Sequence, residues 1–276
     1  MVMSIRTNVA SLTAQRNLSM NQRSLDSSLA KLSSGYRISS AADDAAGLGV
    51  STNLRAQMRS YAQATRNGND GLSVVQTAES ALNETANILT RMRELAMQSA
   101  SDGISNTERA YIQEEATALV AELDRIDNVT EFNGTQLFGA PAQLSFQVGI
   151  RDTADDFLTI DTTAMNVDSA SLGVNGLDLA TDAATSRGQL AAIDTALNQV
   201  STFRSQLGAS ANRISSVLNT IAVAMEQVTA SNSRILDVDV AEETSAMSSA
   251  QVLMQAGVST LAQANQAPQV ALKLLG

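Results

Sequence analysis

Residues 190–228 read LAAIDTALNQVSTFRSQLGASANRISSVLNTIAVAMEQV. The apolar places are Leu190, Ile193, Leu197, Val200, Leu207, Ala211, Ile214, Leu218, Ile221, Met225 and Val228, with Arg204 the one charged residue in the row. Steps of three and four alternate without a slip, so the stretch is a heptad seam on a single helix, interrupted by no Pro and by one glycine, Gly208. At about 1.5 Å of rise per residue, the helix would be about 58 Å long. A stripe of that length cannot be buried against its own helix and needs other long helices, from this chain or from copies of it. The pattern alone predicts a mainly α protein, a long-helix coiled-coil bundle, with no chemistry of its own.

Composition narrows the function classes. The chain has 276 residues and a formal net charge of -10, which argues against nucleic acid or an anionic membrane as the main partner. Aromatic residues make up 3%, little for a compact enzyme core. The sequence contains no Cys, His or Trp. Disulfides, thiolate metal sites and cysteine nucleophiles are therefore excluded, and the commonest general base and metal ligand are missing. No cofactor is expected. No run approaches the roughly 18 apolar residues of a membrane span. The start, MVMSIRTN, has neither the basic region nor the apolar core of a cleavable signal peptide.

Upstream, residues 5–32 carry Leu18, Leu25 and Leu32 seven apart with Leu29 between them, preceded by Ile5, Val9 and Leu12. Such a thin stripe is marginal alone, because it buries too little to offset chain entropy. Gly35 can stop this helix. Ser39 or Ser40 can cap the next one, with Asp43 and Asp44 in its first turn. A helix over 44–99 carries Leu54, Met58, Tyr61, Leu72, Val75, Leu82, Ala86, Leu89, Met92 and Ala96. Within it, Asn67-Gly68-Asn69-Asp70-Gly71 reads as a turn, so local propensity predicts a break there. A third helix starts at Asn106-Thr107-Glu108 and carries Ile112, Ala116, Leu119, Leu123 and Ile126 at four-three spacing. Strand-like runs at 144–150 and 157–160 flank the acidic segment 151–156 and predict a hairpin. That segment lacks the glycine and terminal glutamate of a calcium loop. Residues 164–182 read as loop. The last stretch places Met247, Met254 and Leu261 seven apart, interleaved with the small residues Ala250, Gly257 and Ala264, and ends on Val270, Leu272, Leu274 and Leu275. Both ends are thus incomplete amphipathic helices. They close by pairing with each other and with copies of the chain, and assembly that does not close on itself yields a filament.

Several stretches also resemble a known family. LSSGYRISSAADDAAGLGVS at 32–51, EFNGTQLF at 131–138 and the whole of 231–276 are similar to bacterial flagellin, and the resemblance spans residues 3–139 and 180–276. It implies a terminal helix of the inner domain at 1–33 and a spoke linker at 34–46. A rod domain would span 47–230, with a β-hairpin at about 140–165, and a C-terminal spoke and inner-domain helix 231–276. About forty residues separate the third and fourth helices after the turn, too few for an added outer domain with its own core. Residues 231–235 match the second spoke strand, and the family implies one continuous helix through 67–71. The implied function is the structural subunit of the flagellar filament, not an enzyme. The terminal helices would line an inner tube, with polymerisation seams at Leu18, Leu25, Leu29, Leu32, Met247, Met254 and Leu261. LTRMRELAMQSA at 89–100 and IQEEA at 112–116 put Arg91, Leu95 and Glu115 on the surface that packs against the next subunit. In many flagellins the vertebrate toll-like receptor for flagellin reads this surface. Thr90 departs from the glutamine found there in many recognised members. The implied partners are the same chain and other flagellins, the cap and hook-junction proteins, and an export chaperone on the C-terminal helix. The implied location is the extracellular flagellum, reached through the flagellar type III apparatus without a cleavable signal, from a start at Met1 or Met3.

Three rivals can be separated. A hook-filament junction protein would share the terminal helices but not the detail at SSAADDAAGL and EFNGTQLF. A metalloprotease-bearing relative would need HExxH, which a chain without His cannot supply. A cytoplasmic signalling coiled coil would not expect a hairpin between its helices.

Overall fold

The computed structural model describes residues 7–139 and 143–275, with side-chain detail as far as Gln266. Met1, Met3 and Ile5 and the apolar side chains of Val270, Leu272, Leu274 and Leu275 lie outside what it describes. Among the described residues five α-helices carry the fold: α1 (Val9–Ser34), α2 (Ala45–Ser99), α3 (Asn106–Val129), α4 (Ala183–Leu236) and α5 (Val240–Leu275). Two small antiparallel pairs lie between α3 and α4 in sequence. β1 (Glu131–Phe132) pairs with β2 (Thr135–Gln136) across a turn in which Asn133 and Gly134 both have positive φ. β3 (Gln143–Gln147) pairs with β4 (Phe157–Asp161), Gln147 opposite Phe157. The chain divides into two compact units, one of residues 1–58 and 227–276, the other of residues 59–226.

In the 59–226 unit the heptad seam of α4 is used unevenly. Ile193, Val200, Leu207, Ile214 and Ile221 are buried, whereas Leu190, Leu197, Arg204, Ala211 and Leu218 are half-covered. One row of the heptad therefore forms the core, against Val75, Leu82, Leu89 and Met92 of α2 and Ile112, Ala116 and Leu123 of α3. The other row is the rim. The loop at 164–182 is more than a connection. Met165, Val167, Leu172, Val174, Leu177 and Leu179 are buried in the same core. Polar clasps hold it there. The Gln113 side chain donates to the carbonyl of Leu177 (2.9 Å) and accepts from the Leu179 N–H (2.6 Å). Asp127 and Asp124 accept from the N–H groups of Val167 and Ser169.

The break expected at 67–71 does not occur, and α2 is continuous. Gly68 and Gly71 are buried. A Cβ on Gly68 would lie 2.7 Å from Leu218 Cδ2, and one on Gly71 would lie 3.2 Å from the Phe146 ring. The Asn67 side chain donates to the carbonyl of Gln147 at 2.8 Å. Glycine here provides closeness rather than a turn: α4 and the hairpin come down onto a helix with no side chains in the way, and tertiary packing overrides propensity. Gly208 has no neighbour within 4 Å of an added Cβ. Gly208→Ala is therefore expected to raise the stability of the monomer by about 0.5–1 kcal/mol, measured by urea unfolding. A fall would mean that the position is packed.

Helix ends follow their residues. Gly35 caps α1 in the left-handed region (φ 75°), its N–H donating to Lys31. Ser105 and Glu108 form a capping box on α3. At the start of α2 the roles differ from expectation. Asp44 caps the helix by accepting from the Gly47 N–H (2.8 Å), and Asp43 lies outside it, accepting from the N–H and hydroxyl groups of Ser39 and Ser40. The serines donate rather than cap because a carboxylate with two faces can take several N–H and O–H groups at once. Residues 231–235, expected as a strand, instead complete the last turns of α4. No Pro or Gly interrupts them, and the Ser233 hydroxyl bonds to Asp237 just beyond the helix end.

The carboxylate contacts at these helix ends set an acid limit. Ser40 and Ser39 backbone N–H groups hold the Asp43 carboxyl below its ordinary value, and the Ser105 N–H does the same for Glu108. A carboxylate whose folded pKa is depressed contributes stability that is fully present above its unfolded pKa and is lost as pH falls through the folded value. Burial pushes Asp127 the other way, so its contribution falls as pH rises from the unfolded to the folded value. Helix content is expected to hold from neutral pH down to about 4 and to fall below it, with Asp43→Asn and Glu108→Gln weakening the pH dependence in circular dichroism. An unchanged acid profile in both variants would remove these carboxylate contacts from the explanation.

Candidate functional site: the assembly faces

In the unit of residues 1–58 and 227–276, α1 and α5 pack side by side and antiparallel. The Asn8 side chain donates to the Ala264 carbonyl (2.8 Å) and the Ser11 hydroxyl to Asn265 (2.8 Å), while at the other end Lys31 lies 3.7 Å from Glu243. Between these ends the helices meet through small and medium side chains. Ser11, Ala14, Leu25, Ser28 and Ala250 are buried, and Leu18, Leu32, Met247, Met254, Gly257 and Leu261 are half-buried. At Gly257 an added Cβ would stand 3.4 Å from Leu18 Cδ1, an ordinary contact, so the close approach does not depend on glycine there.

The connections at the top of the two helices also pair. Tyr36 and Asp237 form an antiparallel bridge, flanked by bonds from the Arg37 N–H to the Leu236 carbonyl (2.6 Å) and from the Val238 N–H to the Gly35 carbonyl (3.0 Å). The Arg37 guanidinium reaches the Ile235 carbonyl (2.8 Å), and Arg55 lies 5.4 Å from the centre of the Tyr36 ring. Ser51 donates to the Asn232 side chain at 2.8 Å. The chain is pinned where α1 ends and α5 begins, which fixes the register of the pair.

Of the seven seam residues read from the sequence, six lie in or beside the α1–α5 contact, and Leu29 lies away from it, 47% exposed. The apolar groups left uncovered are different ones: Val9 (66%), Leu12 (57%) and Met20 on α1, and Val252 (65%), Leu253 (54%) and Val258 (53%) on α5. Sequence reading missed Val252, Leu253 and Val258. Their signal was present as a second apolar row between the heptad places, which the regular seven-residue spacing of Met247, Met254 and Leu261 overshadowed.

On the other unit, Arg91 binds two carboxylates, Glu115 on α3 (2.8 Å) and Glu94 on its own helix (2.9 Å). The hydrogen bonds it donates to Glu94 and then to Glu115 raise its pKa further. All three side chains are about half exposed or more, so solvent screens the pairs and the cluster orders the surface without adding much stability. Leu95 is 1% exposed and belongs to the core, so it shapes this surface from beneath. Thr90 bonds back to the Ala86 carbonyl of its own helix. Tyr111 and Met97 are exposed on the same two helices. Among the described residues no group of three or more Asp and Glu is placed to hold a metal ion, and no helix is long and apolar enough to cross a membrane.

A family model for the bacterial flagellin N-terminal helical region matches residues 5–142, and one for the bacterial flagellin C-terminal helical region matches residues 190–275. Flagellin of Bacillus subtilis (strain 168) is 40% identical over 304 residues, covering 99% of this chain and 100% of the relative. Flagellin of Halalkalibacterium halodurans is 38% identical over 273 residues, with 99% and 100% covered. The crystal structure of Bacillus cereus flagellin is 30% identical, with a TM-score of 0.50 over 56% of this chain and 88% of that one.

Proposed function

Because this chain belongs to the bacterial flagellin family, we propose how its two terminal helices build the polymer that the family forms. The chain is a structural subunit of the flagellar filament and not an enzyme. In our reading the α1–α5 pair is the polymerising element. The seam of Leu18, Leu25, Leu32, Met247, Met254 and Leu261 joins the two ends of one subunit, and Leu29 with the uncovered row joins subunits to one another. The observation that carries this is the row itself: Val9, Leu12, Met20, Val252, Leu253 and Val258 lie open on a pair of helices whose facing sides are already satisfied. An apolar face of that kind on a two-helix pair is marginal in water and gains most by being covered. The surface around Arg91 and Glu115, with Leu95 beneath it, is a second packing surface between subunits. The division into terminal segments 1–33 and 231–276, linker 34–46 and rod 47–230 belongs to the same proposal. So do export to an extracellular filament, a chaperone on α5, the cap and hook-junction partners and the toll-like receptor.

The test is electron microscopy of purified protein incubated with short filament seeds, followed by circular dichroism through depolymerisation. Long filaments that melt to a monomer of lower helix content are expected. Persistent monomer, or a closed small oligomer of unchanged helix content, would overturn the assignment of α1 and α5. Limited proteolysis of the monomer is expected to trim both ends and to stop near Leu32 and Arg234. Ends protected in verified monomer would count against ordering on assembly.

A further inference from the structure

Arg16 stands in the middle of the open row of α1. Steps of three and four carry Val9, Leu12, Arg16, Met20 and Arg23 along one face of the helix, opposite the buried face of Ala14, Leu18 and Leu25. Arg16 is exposed, and among the described residues its side chain has no ion pair and no hydrogen bond. Arg23, by contrast, donates to the Ser19 carbonyl and has Asp26 one turn further on. No carboxylate lies level with Arg16. The helices are antiparallel with Lys31 beside Glu243, so Arg16 falls beside the middle of α5, and residues 244–275 contain neither Asp nor Glu. The other uncommitted charge of this unit is Glu242, exposed in the first turn of α5. The remaining carboxylates are engaged: Asp26 by Gln22, Asp43 by Ser40, Asp44 by the Gly47 N–H, Asp237 by Ser233, Asp239 by the Ala241 N–H and Glu243 by Lys31. Helical rise puts Glu242 about 24 Å along the pair from Arg16, too far for the two side chains of one chain to meet.

We propose that Arg16 of one copy pairs with Glu242 of the next, where the terminal helix pairs of neighbouring copies lie against each other. The proposal rests on the filament reading, which supplies the second copy. When a copy covers the open row, Val9, Leu12 and Met20 lose water together with the guanidinium that stands among them. An arginine desolvated without an anion is costly, so the covering helices must bring one. Glu242 is the carboxylate that they have to spare. In a filament whose copies run the same way, the pair forms at a stagger of about 24 Å between neighbours. It therefore selects one register, which an apolar row alone would leave loose.

Charge reversal in the full-length chain tests this, with the critical concentration for seeded polymerisation as the readout and circular dichroism of the monomer as the control for folding. Arg16→Glu and Glu242→Arg are each expected to keep the helix content of the parent monomer and to raise the critical concentration about tenfold. The double variant restores the pair with its polarity reversed and is expected to return to within about threefold of the parent. Failure of the double variant to recover, with its monomer folded, overturns the pairing. An acidic side chain suits a helix start, so Glu242→Arg can loosen α5 itself. In that case Arg16→Gln, Glu242→Gln and their combination are compared. A second substitution that costs little once the first is present supports the pair, and additive losses overturn it. A loss in Arg16→Glu beside an indifferent Glu242→Arg would assign the anion to another part of the neighbour and would overturn Glu242 as the partner. If the unsubstituted chain itself fails to extend seeds, the filament reading fails first and takes the pair with it. Indifference of both variants beside a polymerising parent sinks the pair alone.

Discussion

Removal of residues 250–276 is expected to abolish polymerisation while leaving a soluble, largely helical monomer. The truncation takes away Ala250, Met254, Gly257 and Leu261, the α5 side of the contact with Ser11, Ala14, Leu18 and Leu25. It also takes Ala264 and Asn265, which bind Asn8 and Ser11. A 26-residue α1 without its partner has a thin stripe and little to bury, so it should fray over most of its length. None of these residues enters the core that runs from Ala64 to Ile221. That core should therefore melt nearly as before. Sedimentation, seeded extension and circular dichroism read the three parts of the result. Filaments of ordinary stability from the truncated chain would show that α5 is not the polymerising element.

Arg109→Met is expected to destabilise the 59–226 unit by about 3 kcal/mol, measured by urea unfolding of the monomer. Arg109 is buried at the turn between α2 and α3. It donates to the carbonyls of Ser99 (2.9 Å) and Ser101 (2.6 Å) and to the Asn106 side chain (3.2 Å). The end of α2 leaves carbonyls with no partner in the helix, and Arg109 supplies donors for them from the first turns of α3. Ser99 extends the network, its hydroxyl bonded to the Leu179 carbonyl and close to Ser186 at the start of α4. Methionine fills the volume and removes every donor, so the buried Ser99 carbonyl is stranded and the Ser101 carbonyl and Asn106 side chain lose a partner. Arg109→Lys should recover little, because one ammonium cannot reach three acceptors set for a planar fork. A loss below about 1 kcal/mol in Arg109→Met would mean that water replaces the guanidinium.

The parts of this molecule that were legible in the sequence are those where one periodicity governs a long stretch. The seam at 190–228 fixed both a long α4 and the need for helical partners, and the spacing at 112–126 did the same for α3. The hairpin followed from two β-rich runs around a polar segment. What was not legible depended on partners distant in sequence. Nothing local tells that Gly68 will meet Leu218, so the turn-like residues 67–71 could not be read as helix from propensity. The burial of Val167 and Leu179 in a loop depends on Asp127 and Gln113, far back on α3, holding backbone N–H groups that a strand or helix would otherwise satisfy. At the assembly faces, heptad spacing located the residues joining α1 to α5. It could not say which remaining apolar groups stay open, because that is a matter of which side the partner covers.

The glycine pair in α2 bears on the order in which the molecule is put together. Residues 67–71 are helical because α4 and the hairpin lie on them, through contacts between Gly68 and Leu218 and between Gly71 and Phe146. Those contacts close long stretches of chain, which makes them slow to form. Before they exist, the local propensity of 67–71 favours a break; once they form, α2 runs through as one helix. Amide hydrogen exchange at 67–71 should therefore report the docking of the hairpin and α4 rather than local fraying, and a chain without residues 143–161 should exchange there as freely as a loop.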